Sequence, residues 1–325
     1  MSMILNDYER YIVECEIEIN STPDDAPNIP MYEIIPFIKN IKSTDVYLRN
    51  NETSSFSVVE TKYLDDEERY FAILFQHANG RASDPAFAEL KTGKSRTVRK
   101  QYGEGVAVSC HLIIDTQSFN KLHPNKYSAI LEEVPGLTKG MIADILTYFL
   151  RENTNFSFLR KLENNKEISY RPILKIDYLA SHSFAESFKT GYLCGITATR
   201  TSKDTSELDE IGADVIREER LIIKTPKSVR DKALNIIAKV IPLAKERGFS
   251  RLRISRYENK RKTTTSYDIP DNISSYEETV QSISEAQFAA REKINLGTQI
   301  ETCQNCIHTE LSSKMLKILE KMKEE

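Results

Sequence analysis

"SFSVVETKYLDDEERYFAILFQHANG", residues 55 to 80, is the stretch on which the fold turns. Residues 55 to 64 and 69 to 80 both read as strands, and the acidic "DDEE" between them joins the two as a hairpin. Working outward, residues 9 to 19 ("ERYIVECEIEI") alternate like a further strand. "TPDDAPNIP" after them, with three prolines, is a loop, and "MYEIIPFIKNIK" has a helical apolar pattern. Downstream, "GVAVSCHLIID" and "KYSAILEEV" supply two more strands. Pro135 and Gly136 then precede an amphipathic helix, "LTKGMIADILTYFLRE".

A first domain is expected to end near residue 155, because "NTNFSFLRKLENNKEIS" is polar and weakly patterned, as suits a connection. "YRPILKIDYLA", "SFAESFKT" and "YLCGITATRT" then read strand, short helix, strand. "ADVIREERLIIK", "TPKSVRDKALNIIAKVIPLAKERG" and "SRLRISRYE" repeat that order with a longer helix. Thr225 is placed as N-cap of the long helix, Pro226 in its first turn and Gly248 just past its end, while Pro242 should kink it. From 271 onward the chain reads helical, with Leu311, Met315, Ile318 and Met322 spaced 4, 3, 4. Such a stripe either packs onto the body or forms a homodimer through the C-terminal helix. The expected architecture is α+β: two mixed, mostly antiparallel α+β domains, 1–155 and 156–270, with a helical C-terminal tail, 271–325.

Composition sets the class. The 325 residues are 40% hydrophobic and 29% charged, an ordinary globular balance. No apolar run approaches the roughly 20 residues that span a bilayer, so no membrane insertion is expected. "MSMILNDYERYIVE" lacks the basic and apolar regions of an export signal, which places the chain in the cytoplasm. Five cysteines, Cys15, Cys110, Cys194, Cys303 and Cys306, are too few and too scattered for a disulfide framework. A net charge of −3 gives no global attraction to nucleic acid, so any such binding must come from a local patch.

Two patches qualify. In "ELKTGKSRTVRKQYGEG", residues 89 to 105, Lys91, Lys94, Arg96, Arg99 and Lys100 meet no acidic residue until Glu104, and Arg81 lies beside them. The letters Gly93, Lys94, Ser95 suggest a phosphate-binding loop, but Ala88 stands where its first glycine belongs, and neither a buried strand nor a helix flanks it as the motif requires. Unneutralised cations instead suit phosphate contacts, which add affinity through counterion release. "SRLRISRYENKRKTTTSYD" reads as a second basic hairpin turning near Asn259. It puts Arg251, Arg253 and Tyr257 on one face and Lys260, Arg261 and Lys262 at the turn. Solvated surface is the plainer reading of both.

Other combinations of residues suggest catalysis or metal binding. Asp45, fifteen residues before Glu60-Thr61-Lys62, has the spacing of a D…ExK nuclease core, in which two carboxylates hold a metal and lysine stabilises phosphate charge. Asp84 with Glu89 and Lys91 forms a shorter set lacking the buried strand. Cys303-x-x-Cys306 with His308 could supply three zinc ligands, against the plainer reading of unpaired thiols on a helix face. His111, alternating with apolar neighbours, reads as a satisfied interior histidine. No cofactor is expected.

Residues 71 to 142, from "FAILFQHANGRASDPAFAELKTGKSRTVRKQYGEGVAVSCHLIID" to "KYSAILEEVPGLTKGMI", resemble uncharacterised proteins that accompany bacterial phage-defence genes. The resemblance implies a setting: a cytoplasmic bacterial protein that senses or obstructs foreign nucleic acid alongside partner defence proteins. The function expected is therefore nucleic-acid binding, of DNA in the first instance. A metal-dependent nuclease and a protein-interaction subunit are the alternatives.

Overall fold

A computed structural model describes residues 5–120, 123–160, 166–180, 182–204, 215–258, 261–269, 276–289 and 291–322. The chain forms two units, Met1–Leu179 with Arg291–Glu325, and Ala180–Ala290. The first contains β1 (Glu9–Thr22), α1 (Met31–Lys39), β2 (Tyr47–Arg49), β3 (Ser54–Tyr63), β4 (Tyr70–Asn79), β5 (Ala86–Ala88), β6 (Ser95–Thr97), β7 (Val106–Asn120), β8 (His123–Glu132), α2 (Lys139–Asn153), β9 (Phe156–Arg160) and β10 (Lys166–Tyr178). The second contains β11 (His182–Ser183), α3 (Phe184–Thr190), β12 (Tyr192–Asp204), β13 (Val215–Ile223), α4 (Arg230–Glu246), β14 (Arg251–Glu258), β15 (Arg261–Asp268), α5 (Tyr276–Glu285) and β16 (Gln287–Phe288). The chain then returns to the first unit with β17 (Arg291–Asn295) and α6 (Thr309–Lys321).

The fold is mixed α+β, and every pairing between these strands is antiparallel. In the first unit the order is β2-β3-β4-β7-β8-β1-β10-β9, and β17 pairs with the first residues of β1. The 55–80 stretch forms the expected hairpin, Phe71 opposite Tyr63 and Phe75 opposite Val58. Side chains alternate across the central strands, so the sheet has two apolar faces. Cys15, Ile17, Phe71, Ile73, Cys110, Leu112 and Ala129 meet α1 and α2 on one side. Ile12, Ala72, Leu74, Ile113 and Ile130 meet α6 and the segment before it on the other. Burial pushes the Cys15 thiol up to about 12, consistent with its place as an interior hydrophobe.

In the second unit, α4 carries the chain from β13 to β14, which flank β12 on either side. Ile196, Ala198, Leu252 and Ile254 pack against Ala233, Ile237 and Ile241 of α4, together with α3 and α5. Ser183 and Glu186 form a reciprocal cap at the start of α3.

Several expectations change. Residues 156–160 and 166–178, taken as a connection and the opening of a second domain, are paired strands of the first sheet: Ile17 lies opposite Ile176, and Tyr170 opposite Phe156. The segment beyond 271 is not one helical tail. It contains α5, which packs on α4, two strands, and α6. The stripe offered for a homodimer is occupied internally, with Leu311, Met315 and Leu319 buried and Ile318 and Met322 packed against the same cluster. The long helix starts at Arg230, not after Thr225: Leu193 N–H donates to the Ser228 carbonyl at 2.7 Å, and this bridge takes Ser228 out of the helix. Gly248 does end that region with a positive φ of 75°, and the helix runs on through Pro242.

The segment preceding α6 is tied down at Glu310. Its carboxylate accepts from the N–H groups of Gly297 and Thr298 and the Thr298 hydroxyl, and pairs with Lys314 at 2.7 Å. These partners hold the Glu310 carboxyl well below the ordinary carboxylate range. A depressed carboxyl contributes its stability above the unfolded value of 4.5 and loses it as pH falls through the lower folded value. Amide protection at Gly297 and Thr298 is accordingly expected to fall on acidification below 4.5, and Glu310→Gln should remove most of that dependence. Exchange rates at those two amides, followed by NMR against pH, check it.

Candidate nucleic-acid interface

Between β4 and β7 the chain leaves the sheet at Gly80 and returns at Gly105 as an arm whose two short strands, β5 and β6, pair only with each other. Its base is tight. A side chain at Gly105 would come within 2.8 Å of the Asn79 backbone, so only glycine allows the close approach there. Lys100 closes the same base: its N–H donates to Asp84 at 3.3 Å, and its ammonium reaches Asp84 at 3.7 Å, the Gly80 carbonyl at 3.1 Å and the Ala82 carbonyl. Higher up, Val98 N–H donates to the Pro85 carbonyl at 2.9 Å, and the Arg96 guanidinium lies over the Phe87 ring at 5.0 Å. The tip is a turn in which Glu89 N–H donates to Lys94 at 2.9 Å and Gly93 N–H to Glu89 at 2.8 Å. Gly93 has a positive φ of 71°, which a residue with a side chain adopts only with strain.

Six cations face two carboxylates between residues 81 and 100. Both carboxylates are engaged, Asp84 by Lys100 and Glu89 by the Thr92 hydroxyl. Among the described residues, Arg81, Lys91, Lys94, Arg96 and Arg99 make no ion pair, and Lys91, Lys94 and Arg96 are exposed. Lys100 differs from its expected role: bound to Asp84 and two carbonyls, it shapes the arm and is not free for a phosphate. The Gly93-Lys94-Ser95 letters lie at the ribbon turn, where a strand follows and not a helix.

The second basic patch is a hairpin as expected, β14 with β15, with Tyr257 opposite Lys262. Arg251 is neutralised by Asp268 at 2.5 Å, and Tyr257 is stacked on Tyr192 at 5.2 Å between centroids. Arg253 and Lys262 are exposed; Lys260 and the Asn259 turn lie outside the described residues, as does the side chain of Arg261. Among its described side chains this patch has two exposed cations without an ion pair, Arg253 and Lys262, against five on the arm.

The nuclease set is engaged elsewhere. The Asp45 carboxylate accepts from Lys42 N–H at 2.9 Å, and the Glu60 carboxylate accepts from Ile307 N–H, leaving Lys62 on the strand without either. The shorter set fares likewise, since Asp84 and Glu89 serve the arm. Cys303 and Cys306 precede α6 in turns instead of sharing a helix face, and His308 has both nitrogens engaged. Its Nδ1 accepts from Leu311 N–H at 3.2 Å as the helix cap, and its Nε2 meets Thr298 Oγ1 at 3.3 Å. Among the described residues, no group of three or more His, Cys, Asp or Glu is placed to hold a metal ion.

One constellation has no counterpart in the sequence reading. On the α6 side of the sheet, Arg10 Nε donates to Glu132 at 2.8 Å, both side chains being 2% exposed. The other oxygen of Glu132 accepts from His111 N–H at 3.0 Å and lies 2.6 Å from His111 Nδ1. His111 Nε2 in turn accepts from His308 N–H at 3.0 Å, so the histidine is satisfied on both nitrogens as expected of an interior one. Arg10 also donates to the carbonyls of Ile300 and Glu301, at 3.2 and 3.0 Å. With Ser109 bonded to Thr302 and Gln304, this network fastens the 300–308 segment to the sheet. It is a structural clamp whose members are fully satisfied within the protein.

No helix among the described residues is long and apolar enough to cross a membrane. No protein-family model, curated protein or solved structure matches this chain, so the chemistry of the arm itself is what speaks for its role.

Proposed function

We propose that this protein binds nucleic acid, DNA in the first instance, by gripping phosphates with Arg81, Lys91, Lys94, Arg96 and Arg99 of the arm. The setting is the one its resemblance implies, a bacterial antiviral defence assembly acting in the cytoplasm with partner defence proteins. One observation carries the reading: a projecting ribbon with an excess of cations, both of whose carboxylates are already engaged with the arm's own groups. Such cations are hydrated and screened only by salt, which leaves them open to the phosphates of another molecule. Arg253 and Lys262 of the second hairpin are a further, smaller set of phosphate contacts.

Filter binding to DNA and to RNA at two salt concentrations tests this. Replacing Lys91, Lys94, Arg96 and Arg99 together by alanine is expected to weaken binding to every sequence. It should also flatten the slope of log K against log salt by about 0.9 for each phosphate no longer neutralised, roughly three to four phosphates in all. All four side chains lie on the arm outside the main cores, so the thermal transition should stay in place. An unchanged salt slope, or no binding by the natural chain to either polymer, rules the reading out and leaves a protein-interaction subunit.

A further inference from the structure

The tip of the arm carries a feature that phosphate binding does not require. Leu90 stands at the outermost turn, fully exposed, between Glu89, whose carboxylate is turned back onto Thr92, and the cations Lys91 and Lys94. The turn that presents it is rigid, closed by the Glu89–Lys94 and Gly93–Glu89 backbone bonds and by Thr92 Oγ1 receiving Lys94 N–H at 3.3 Å. Below it the ribbon is stiffened by the Phe87–Arg96 stack, and its base is fixed by Lys100 and Gly105. An isolated exposed leucine is ordinary. One held at the end of a braced, cation-flanked ribbon has the geometry of a wedge.

We infer that the arm enters the minor groove of duplex DNA and that Leu90 inserts between adjacent base pairs, kinking the duplex. This deepens the proposed function and rests on it. Three observations favour the assignment. Apolar wedges work at the minor groove, where unstacking one step bends the duplex and brings more phosphates to the protein; Lys91, Lys94 and Arg99 supply those contacts. Major-groove readers aim arginine, lysine, asparagine or glutamine at base edges; the ribbon has no asparagine or glutamine, its Arg96 lies over Phe87, and only Lys91 and Lys94, which flank Leu90, remain of that set. Single-strand binding stacks bases on open aromatic faces near the cations; at the ribbon one face of Phe87 is taken by that same guanidinium, and the exposed Tyr102 lies between Lys100 and Gly105 at the base, away from Leu90.

The test is a duplex of about 30 base pairs carrying donor and acceptor fluorophores at its ends, titrated with the full chain and with Leu90→Ala. The natural chain at saturation should raise energy transfer, reporting a bent duplex. It should also bind about tenfold tighter to a duplex with a central mismatch, whose step is already loosened. Leu90→Ala at saturation should leave energy transfer at the free-duplex level and lose the mismatch preference. Leu90 touches no core, so loss of fold is not at issue. If the natural chain binds but does not bend, or if Leu90→Ala bends as well as the natural chain, the wedge is refuted while phosphate binding by the arm stands. Binding to single strands or RNA alone refutes it too. If no nucleic acid binds at all, both this inference and the function beneath it fall.

Discussion

Glu132→Ala is expected to destabilise the first unit by about 3 to 5 kcal/mol, the cost of leaving a buried charge without its partner. Arg10 is 2% exposed, and burial disfavours its charge; Glu132 is the counter-ion that offsets this cost, and the guanidinium stays charged with or without it. Alanine would strand that charge, free His111 Nδ1 and remove the acceptor of His111 N–H in one step. Because Arg10 also grips the Ile300 and Glu301 carbonyls, the loss should reach the C-terminal segment. Urea unfolding followed by far-UV circular dichroism measures the first effect, and hydrogen exchange at residues 300 to 308 the second. Glu132→Gln, which keeps the shape but not the charge, should fall between the two. A midpoint unmoved by alanine would mean that the clamp contributes nothing to stability.

Truncation after Asn295 should have a still larger effect. It removes Leu296, Ile300, Ile307, Leu311, Met315 and Leu319 from one face of the sheet, leaving Ile12, Ala72, Leu74, Ile113 and Ile130 open to water. An apolar patch of that kind on a sheet invites association. The truncated chain is expected to aggregate on expression or to bind a hydrophobic dye strongly where the full chain does not. The milder Met315→Ala leaves a cavity in the same cluster and should cost about 2 to 5 kcal/mol by chemical denaturation. A truncated chain that stays soluble with an unshifted unfolding midpoint would show that the sheet does not need this cover.

Much of the fold was legible because local pattern and tertiary role agree. Residues 55 to 80 hold two strand-forming runs rich in aromatic and branched residues, the second continuously apolar from Tyr70 to Phe75 because both its faces are covered, and Cys15, Cys110 and His111 sit in apolar runs that become central strands. The failures have physical causes. Residues 153 to 169 looked like a linker because β9 and the start of β10 lie toward the sheet's edge with much of their surface exposed, so their apolar residues are diluted by polar ones. Thr225 looked like a cap because a threonine before a proline starts many helices, but the pairing of Ser228 with Leu193 overrides that preference. The cations of the arm were legible as a cluster. That Lys100 would turn inward while Lys91 and Lys94 point out was not, since its partner Asp84 lies sixteen residues away across a fold-back. Arg10 and Glu132 are separated by most of a domain, and only the pairing of β1 with β8 brings them together.

The return of residues 291 to 322 to the first unit also bears on how the protein is made. On the ribosome, the intervening unit's described strands and helices are all made before the earlier unit has β17 and its covering helix α6. Chains usually mature from the N-terminus onward; here the first unit must wait, one face of its sheet bare, until residues 291 to 322 have emerged.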